Sequence, residues 1–145
     1  MRYTNELLDK LDEFNEFAGV YARDELPSNI GWPMGLIVNT DLSSQPGTHW
    51  IAIYIDSEGN GEYFDSYGFQ PNFVSFRNYL KNNCIKYFYN PISLQCFTCV
   101  TCGEYCVAYL CSRFIGLSYF DFINLFTKNP HKNDIIVKSL FNSID

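Results

Sequence analysis

Cys102 stands directly before Gly103 where an apolar segment opens, and Gln95 lies seven residues earlier. His49 and Asp65 stand further upstream. Together these residues could carry out thiol-based acyl transfer and cleave a peptide bond. Cys102 would be the nucleophile, and His49 the base that takes its proton and later hands it to the leaving amine. Asp65 would hold the imidazole in one tautomer. The side-chain amide of Gln95 and the backbone N–H of Cys102 would face the oxyanion. A thiol at the mouth of a helix sits among unpaired N–H groups at the positive end of the dipole, and both favour the thiolate. Gly103 would let substrate come close to the backbone.

Each of these residues also has a plainer reading. His49 could be a junction between loop and strand, and Asp65 a turn residue ahead of Ser66 and Gly68. Trp50 serves as easily in the core as in a site wall. Asn39, at the same rim, suits a turn. His131, beside Pro130 and between Lys128 and Lys132, has a solvated context. Of the two histidines, His49 is therefore the base that the thiol reading requires.

The cysteines admit two further readings. Cys96, Cys99, Cys102 and Cys106 have the spacing C-x2-C-x2-C-x3-C of a bacterial ferredoxin run. Against an iron–sulfur cluster, Val107 stands where proline is expected, and the last Cys falls within an apolar helical pattern. Only Cys84 and Cys111 are left to supply a distant ligand. A structural zinc site calls for two separated Cys pairs or a later His pair, and the chain has one clump and two His. On the thiol reading, Cys106 and Cys111 pack within a helix, and Cys96 and Cys99 pack or edge the site, as free cysteines usually do.

Around these residues the spacing predicts an α+β domain: a small, mainly antiparallel sheet with helices around it and a buried central helix starting at Cys102. Residues 4–17 read as an amphipathic helix, with Thr4 as N-cap, Leu7, Leu8, Leu11, Phe14 and Phe17 on one face, and Gly19 as the stop. Residues 20–33 read as a loop carrying Pro27 and Pro33. Strands are expected over 34–40 and 49–56, with a turn at 56–61 and a return strand over 62–67. A helix over 71–82 would start at Pro71, followed by a strand over 85–89. Residues 103–115 read as a helix apolar nearly all round, which belongs inside a domain. Further helices are expected at 118–127 and 130–142, opened by Ser118 and by Asn129-Pro130.

The 145 residues suit one domain over 1–145 with a full core. Hydrophobic content of 47% and aromatic content of 18% exclude a disordered chain. A net charge of −6 and an isoelectric point near 4.8, with no cluster of Lys and Arg, disfavour a nucleic-acid partner. No apolar run reaches the roughly 18 residues of a membrane span. The acidic stretch MRYTNELLDKLDEFNEF is no signal peptide. The expectation is an intracellular protein, not secreted and without a membrane partner, whose cysteines are thiols.

The order and spacing of these motifs resemble the adenovirus maturation protease (adenain) family and, more loosely, the Ulp1-type proteases of SUMO and ubiquitin-like proteins. FAGVYARDELP, LIVNTD and GTHW resemble the family's opening loop, first strand and His-Trp. YFDSYGF resembles the strand that carries the third triad member. LQCFTCVTCGEYCVAYL resembles the Gln, the Cys-Gly and the buried helix, with the same Gln-to-Cys spacing, and NPHKNDIIVKSL the late NP segment. The resemblance implies a cysteine endopeptidase with His49 as base, Asp65 as orienting acid, Cys102 as nucleophile and Gln95 in the oxyanion hole. Adenain has Glu where this chain has Asp65, and Ulp1-type proteases have Asp.

The resemblance also implies protein or polyprotein substrates, such as viral or virus-derived precursors, in host cytoplasm, nucleus or virion. It implies no required cofactor, and points to Cys84, eleven residues before Gln95, as the place where a short activating peptide would form a disulfide, a buried structural cysteine being the other reading of Cys84. Adenain's stimulation by DNA does not carry over to so acidic a chain. A deubiquitinase or SUMO-type isopeptidase on the same fold, and an inactive binding module, stay open as alternatives.

Overall fold

The apolar runs assemble into five strands: β1 (Phe17–Ala22), β2 (Met34–Asn39), β3 (Trp50–Ile55), β4 (Asn60–Phe64) and β5 (Lys86–Tyr89). They lie side by side in chain order. The computed structural model describes residues 9–28, 30–44, 49–96 and 101–143. Besides a helical turn at 9–11, the described residues form the helices α1 (Val74–Asn83), α2 (Cys102–Phe114), α3 (Tyr119–Ile123) and α4 (Pro130–Ser143).

The architecture is the expected α+β sheet with a buried central helix. The pairs β2–β3 and β3–β4 are antiparallel, whereas β1–β2 and β4–β5 are parallel. The parallel pair at β4–β5 follows from α1, which lies between them in sequence and supplies the crossover that a parallel pair requires.

Strand alternation sorts the core onto two faces. Ile37, Trp50, Ala52, Tyr54 and Phe64 meet α2 on one face. Leu36, Val38, Ile51, Ile53, Ile55 and Tyr63 meet Phe76, Tyr79 and Leu80 of α1 on the other. The middle strands are thus covered on both sides, which is why β2 and β3 are buried along their whole length. Every residue of α2 from Cys102 to Cys111 is buried, as the apolar pattern predicts.

The N-terminal region departs from the expectation. Thr4, Leu7 and Leu8 lie outside the described residues. Residues 9–11 are helical, but turns follow and β1 occupies 17–22 in place of the expected helix end and loop. Gly19 is not a helix stop; it sits inside β1 at φ +123°, where the register to β2 shifts. Phe14 and Phe17 do pack against the core, so their apolar spacing was real while the backbone linking them is not helical. Two other ends differ. Strand β4 stops at Phe64, leaving Asp65 and Ser66 in a turn. Helix α1 begins at Val74, after Pro71.

The far end of α2 is fastened to the sheet by charge. Arg113 grips the Glu62 carboxylate with two bonds, Nε to Oε1 at 3.0 Å and Nη2 to Oε2 at 2.8 Å. The Tyr109 hydroxyl donates to the same carboxylate, and the guanidinium lies over the Tyr54 ring. Removing one partner of a buried pair strands the other charge in a low-dielectric interior. Arg113→Met should therefore lower stability by about 3 kcal/mol in urea unfolding, and adding Glu62→Gln should recover part of that loss.

Candidate active site

The sheet and α2 bring three segments together. His49 immediately precedes β3, and its carbonyl accepts from the Thr40 N–H at 2.9 Å, extending the β2–β3 ladder by one step. Asp65 immediately follows β4. The hairpin therefore sets the two side chains beside each other, and His49 Nε2 lies 3.0 Å from Asp65 Oδ1. The Cys102 side chain acts on the same ring and, with Asp65, raises the His49 pKa. Cys102 is the first residue of α2 and is 7% exposed. Thr101, the N-cap, gives α2 no side-chain cap; its hydroxyl turns to Asp134 Oδ1 at 3.2 Å.

Electrostatics favour the charged imidazole. Burial opposes a charge on His49, but its hydrogen bonds to Asp65 and Cys102, with the charges there, outweigh burial and push the imidazole pKa from 6.5 up to about 9. The imidazolium is thus the form that the folded protein favours. The stability it contributes is full below pH 6.5 and is lost as pH rises through about 9.

Residues that spacing did not mark complete the surroundings. The Tyr67 ring stacks on His49 with centroids 4.8 Å apart, fixing the plane of the imidazole. The Tyr67 N–H donates to Asp65 Oδ1 at 2.8 Å, and Asn90 Nδ2 donates to the Asp65 carbonyl at 3.1 Å. Asp65 is 3% exposed; its carboxylate cannot swing away from His49 without breaking the bond from Tyr67 N–H, and Asn90 anchors its backbone. The only hint of Tyr67 in the sequence was its place two residues after Asp65.

Gln95 is 1% exposed. Its segment is held on two sides: the Ser66 carbonyl accepts from Leu94 N at 2.8 Å and Gln95 N at 3.1 Å, while the Leu94 carbonyl accepts from Asn133 Nδ2 at 3.2 Å. Tyr105, one turn into α2, reaches the same Leu94 carbonyl at 3.4 Å. Gly103 is buried in the first turn of α2. Trp50 and Asn39 face each other in the β2–β3 register and are 5% and 4% exposed, so both lie beneath the site. Asn39 Oδ1 accepts from Asp41 N at 2.7 Å, the turn role noted above.

Beside the His49–Asp65 pair lies an open cavity of about 170 Å³, walled by Tyr63, Phe69 and Phe73 with Thr40 and Asn72. Aromatic walls with a few polar groups suit a peptide side chain.

The other cysteines divide by environment. Burial pushes the Cys106 thiol well up and the Cys111 thiol to about 11. Cys96 Sγ lies 3.9 Å from Nε2 of the exposed His131. Cys99 lies outside the described residues. Among the described residues no three of His, Cys, Asp and Glu converge as metal ligands. Cys84 is half-buried at the end of α1, against Gly61, and burial raises its thiol to about 11. Among the described residues no helix is long and apolar enough to cross a membrane.

A thiol, an imidazole and a carboxylate thus converge at the mouth of a buried helix. The chain is similar to a viral cysteine protease. Over 101 residues it is 31% identical to the cysteine protease S273R of African swine fever virus, isolate Tick/Malawi/Lil 20-1/1983, covering 62% of this chain and 37% of that protein. It is 30% identical over 101 residues to the SUMO-1 cysteine protease S273R of the Warthog/Namibia/Wart80/1980 isolate. The chain thus spans little more than a third of the length of the curated relatives it matches. The crystal structure of the African swine fever virus pS273R protease superposes with a TM-score of 0.58 at 26% identity, over 77% of this chain and 44% of that one. The central domain of the uncharacterized Lpg1148 protein from Legionella pneumophila shares the fold alone, with a TM-score of 0.54 at 11% identity. No family model matches.

Two outcomes follow from this geometry. Asp65→Asn removes a charge that raises the His49 pKa, so the His49 ring titration, followed by NMR, should move down from about 9. Under limiting iodoacetamide, Cys102 should react well before Cys84, whose buried thiol holds little thiolate near neutral pH; mapping the labelled peptides by mass spectrometry checks this.

Proposed function

We propose that this chain is a cysteine endopeptidase working through Cys102, His49, Asp65 and Gln95. The observation that carries the reading is that His49, with Nε2 3.0 Å from Asp65 Oδ1, also feels the Cys102 side chain at the start of α2, and the two partners together push its pKa up to about 9. The likeness to S273R supports the same reaction class.

In this reading Cys102 Sγ attacks the scissile carbonyl. The new C–S bond pushes the carbonyl electron pair onto oxygen, where the Gln95 amide and the Cys102 N–H stabilise it. The proton held by His49 passes to the amine as the C–N bond breaks, leaving an acyl-enzyme. Water then attacks the thioester, gives its proton to His49, and the C–S bond breaks to restore the thiol. Asp65 stays ionised and orients the ring throughout.

Substrates are proposed to be protein precursors of a virus or virus-derived element, by the resemblance to adenain and the likeness to S273R. The second reading is an isopeptidase acting on SUMO or ubiquitin-like modifiers, favoured by the name of the S273R relative in the Warthog/Namibia isolate. A panel of SUMO and ubiquitin conjugates, Gly-Gly peptides and structural precursor proteins separates the two: cleavage of conjugates alone would favour the isopeptidase. An inactive binding module is the third reading, and peptide cleavage by the wild-type chain that is lost in Cys102→Ala would count against it. An activating peptide at Cys84 is proposed on the resemblance alone.

Cys102→Ala should abolish turnover, and Gln95→Ala should lower kcat by roughly 100- to 1,000-fold with little change in KM. Steady-state kinetics on the best substrate of the panel decide both. Full activity in the Cys102→Ala variant would overturn the proposal.

A further inference from the structure

Ser66 follows Asp65 directly and is wholly buried. It takes no part in the steps above, yet three of its contacts go to the Gln95 segment. Its carbonyl accepts from the N–H groups of Leu94 and Gln95. Its hydroxyl donates to Gln95 Oε1.

A glutamine amide has two ends of nearly equal shape and opposite chemistry: Oε1 only accepts, and Nε2 only donates. Turned by half a revolution, the same side chain would aim an acceptor at the oxyanion and repel it. Burial of Gln95 does not decide between these orientations. A hydroxyl can donate or accept, and here Ser66 donates to Oε1, which keeps the amide oxygen on the Ser66 side and Nε2 on the other.

Resting on the protease reading above, we infer that Ser66 is a positioning residue for the oxyanion hole, selecting the Gln95 amide orientation in which Nε2 faces the substrate oxygen. The Asp65-Ser66 dipeptide then serves both halves of the reaction. Asp65 sets the imidazole that manages the proton, and Ser66 sets the amide that receives the negative charge. Gly68 makes this arrangement possible. At φ +80° it closes the turn, and a Cβ there would stand 2.8 Å from the Pro91 carbonyl oxygen, so glycine lets residues 65–68 lie against the segment leading to Gln95.

The test separates oxyanion stabilisation from thiol activation. Alkylation by iodoacetamide needs the thiolate but builds no oxyanion. A Gly-Gly peptide aldehyde adds Cys102 Sγ across its carbonyl: a C–S bond forms, the C=O π pair moves to oxygen, and the thiol proton ends on that oxygen or on His49. That adduct needs the oxyanion hole. Ser66→Ala should lower kcat roughly 10- to 100-fold, less than outright loss of an oxyanion donor. KM and the rate of Cys102 alkylation should hold, and aldehyde affinity should fall by the same factor as kcat/KM. Ser66→Thr, which keeps the hydroxyl, should restore activity. In a Gln95→Ala background, Ser66→Ala should have no further effect.

Equal effects of Ser66→Ala with and without Gln95, or parallel slowing of alkylation, would overturn the inference while leaving the protease reading in place. Wild-type protein that alkylates quickly at Cys102 yet neither binds the aldehyde nor cleaves any peptide would overturn both.

Discussion

A helix buried on every side has one place it can go, and α2 is such a helix. Its first ten residues are surrounded by β3, α4 and the Gln95 segment, with no polar face to leave outside. Core packing at crystal-like density tolerates little sliding of such an element. The bidentate grip of Arg113 on Glu62 fixes its rotation at the far end. The position of the Cys102 thiol is therefore set by the whole core, not by local loop structure. The hairpin carrying His49 and Asp65 belongs to the same core, since β3 is α2's packing partner. Cys102 and His49, the proposed nucleophile and base, are placed by two faces of one interface.

The third support is the turn at residues 65–68. It emerges from β4, takes His49, and receives Leu94 and Gln95 through Ser66. Asn90, itself held by the Tyr119 hydroxyl at 2.5 Å, closes the loop by donating to the Asp65 carbonyl. Polar groups buried at this density are costly unless each finds a partner, and a fully connected network holds one geometry. The stacked Tyr67 ring adds a planar constraint on the imidazole that hydrogen bonds alone do not supply.

Much of this was legible in the chain. Buried strands at 34–40 and 49–56 declared themselves as short apolar runs, and the helix from Cys102 as an apolar pattern without a polar stripe. The Cys-Gly junction, the Gln seven residues before it and the hairpin linking His49 to Asp65 marked the site. Strand β1 was hidden because Phe14 and Phe17 keep a helix-like spacing while reaching the core through a turn and a bulged strand at Gly19. The parallel edges were hidden because pairing direction depends on crossovers, not on residue type. Tyr67, Ser66 and Asn90 carry no periodic signal. Their importance arises from backbone atoms and from groups about 25 to 30 residues away, which a local pattern does not register.

The distance in sequence between the two halves of the thiol–imidazole pair has a consequence for folding. Thiol and base are contributed by elements on either side of a parallel crossover, and non-local pairing of that kind forms late because loop closure must precede it. Until the helix docks on the sheet, Cys102 is one unremarkable thiol among six. On the proposed protease reading the nascent chain is thus silent toward peptide bonds, and fast alkylation of Cys102 becomes a reporter of completed folding.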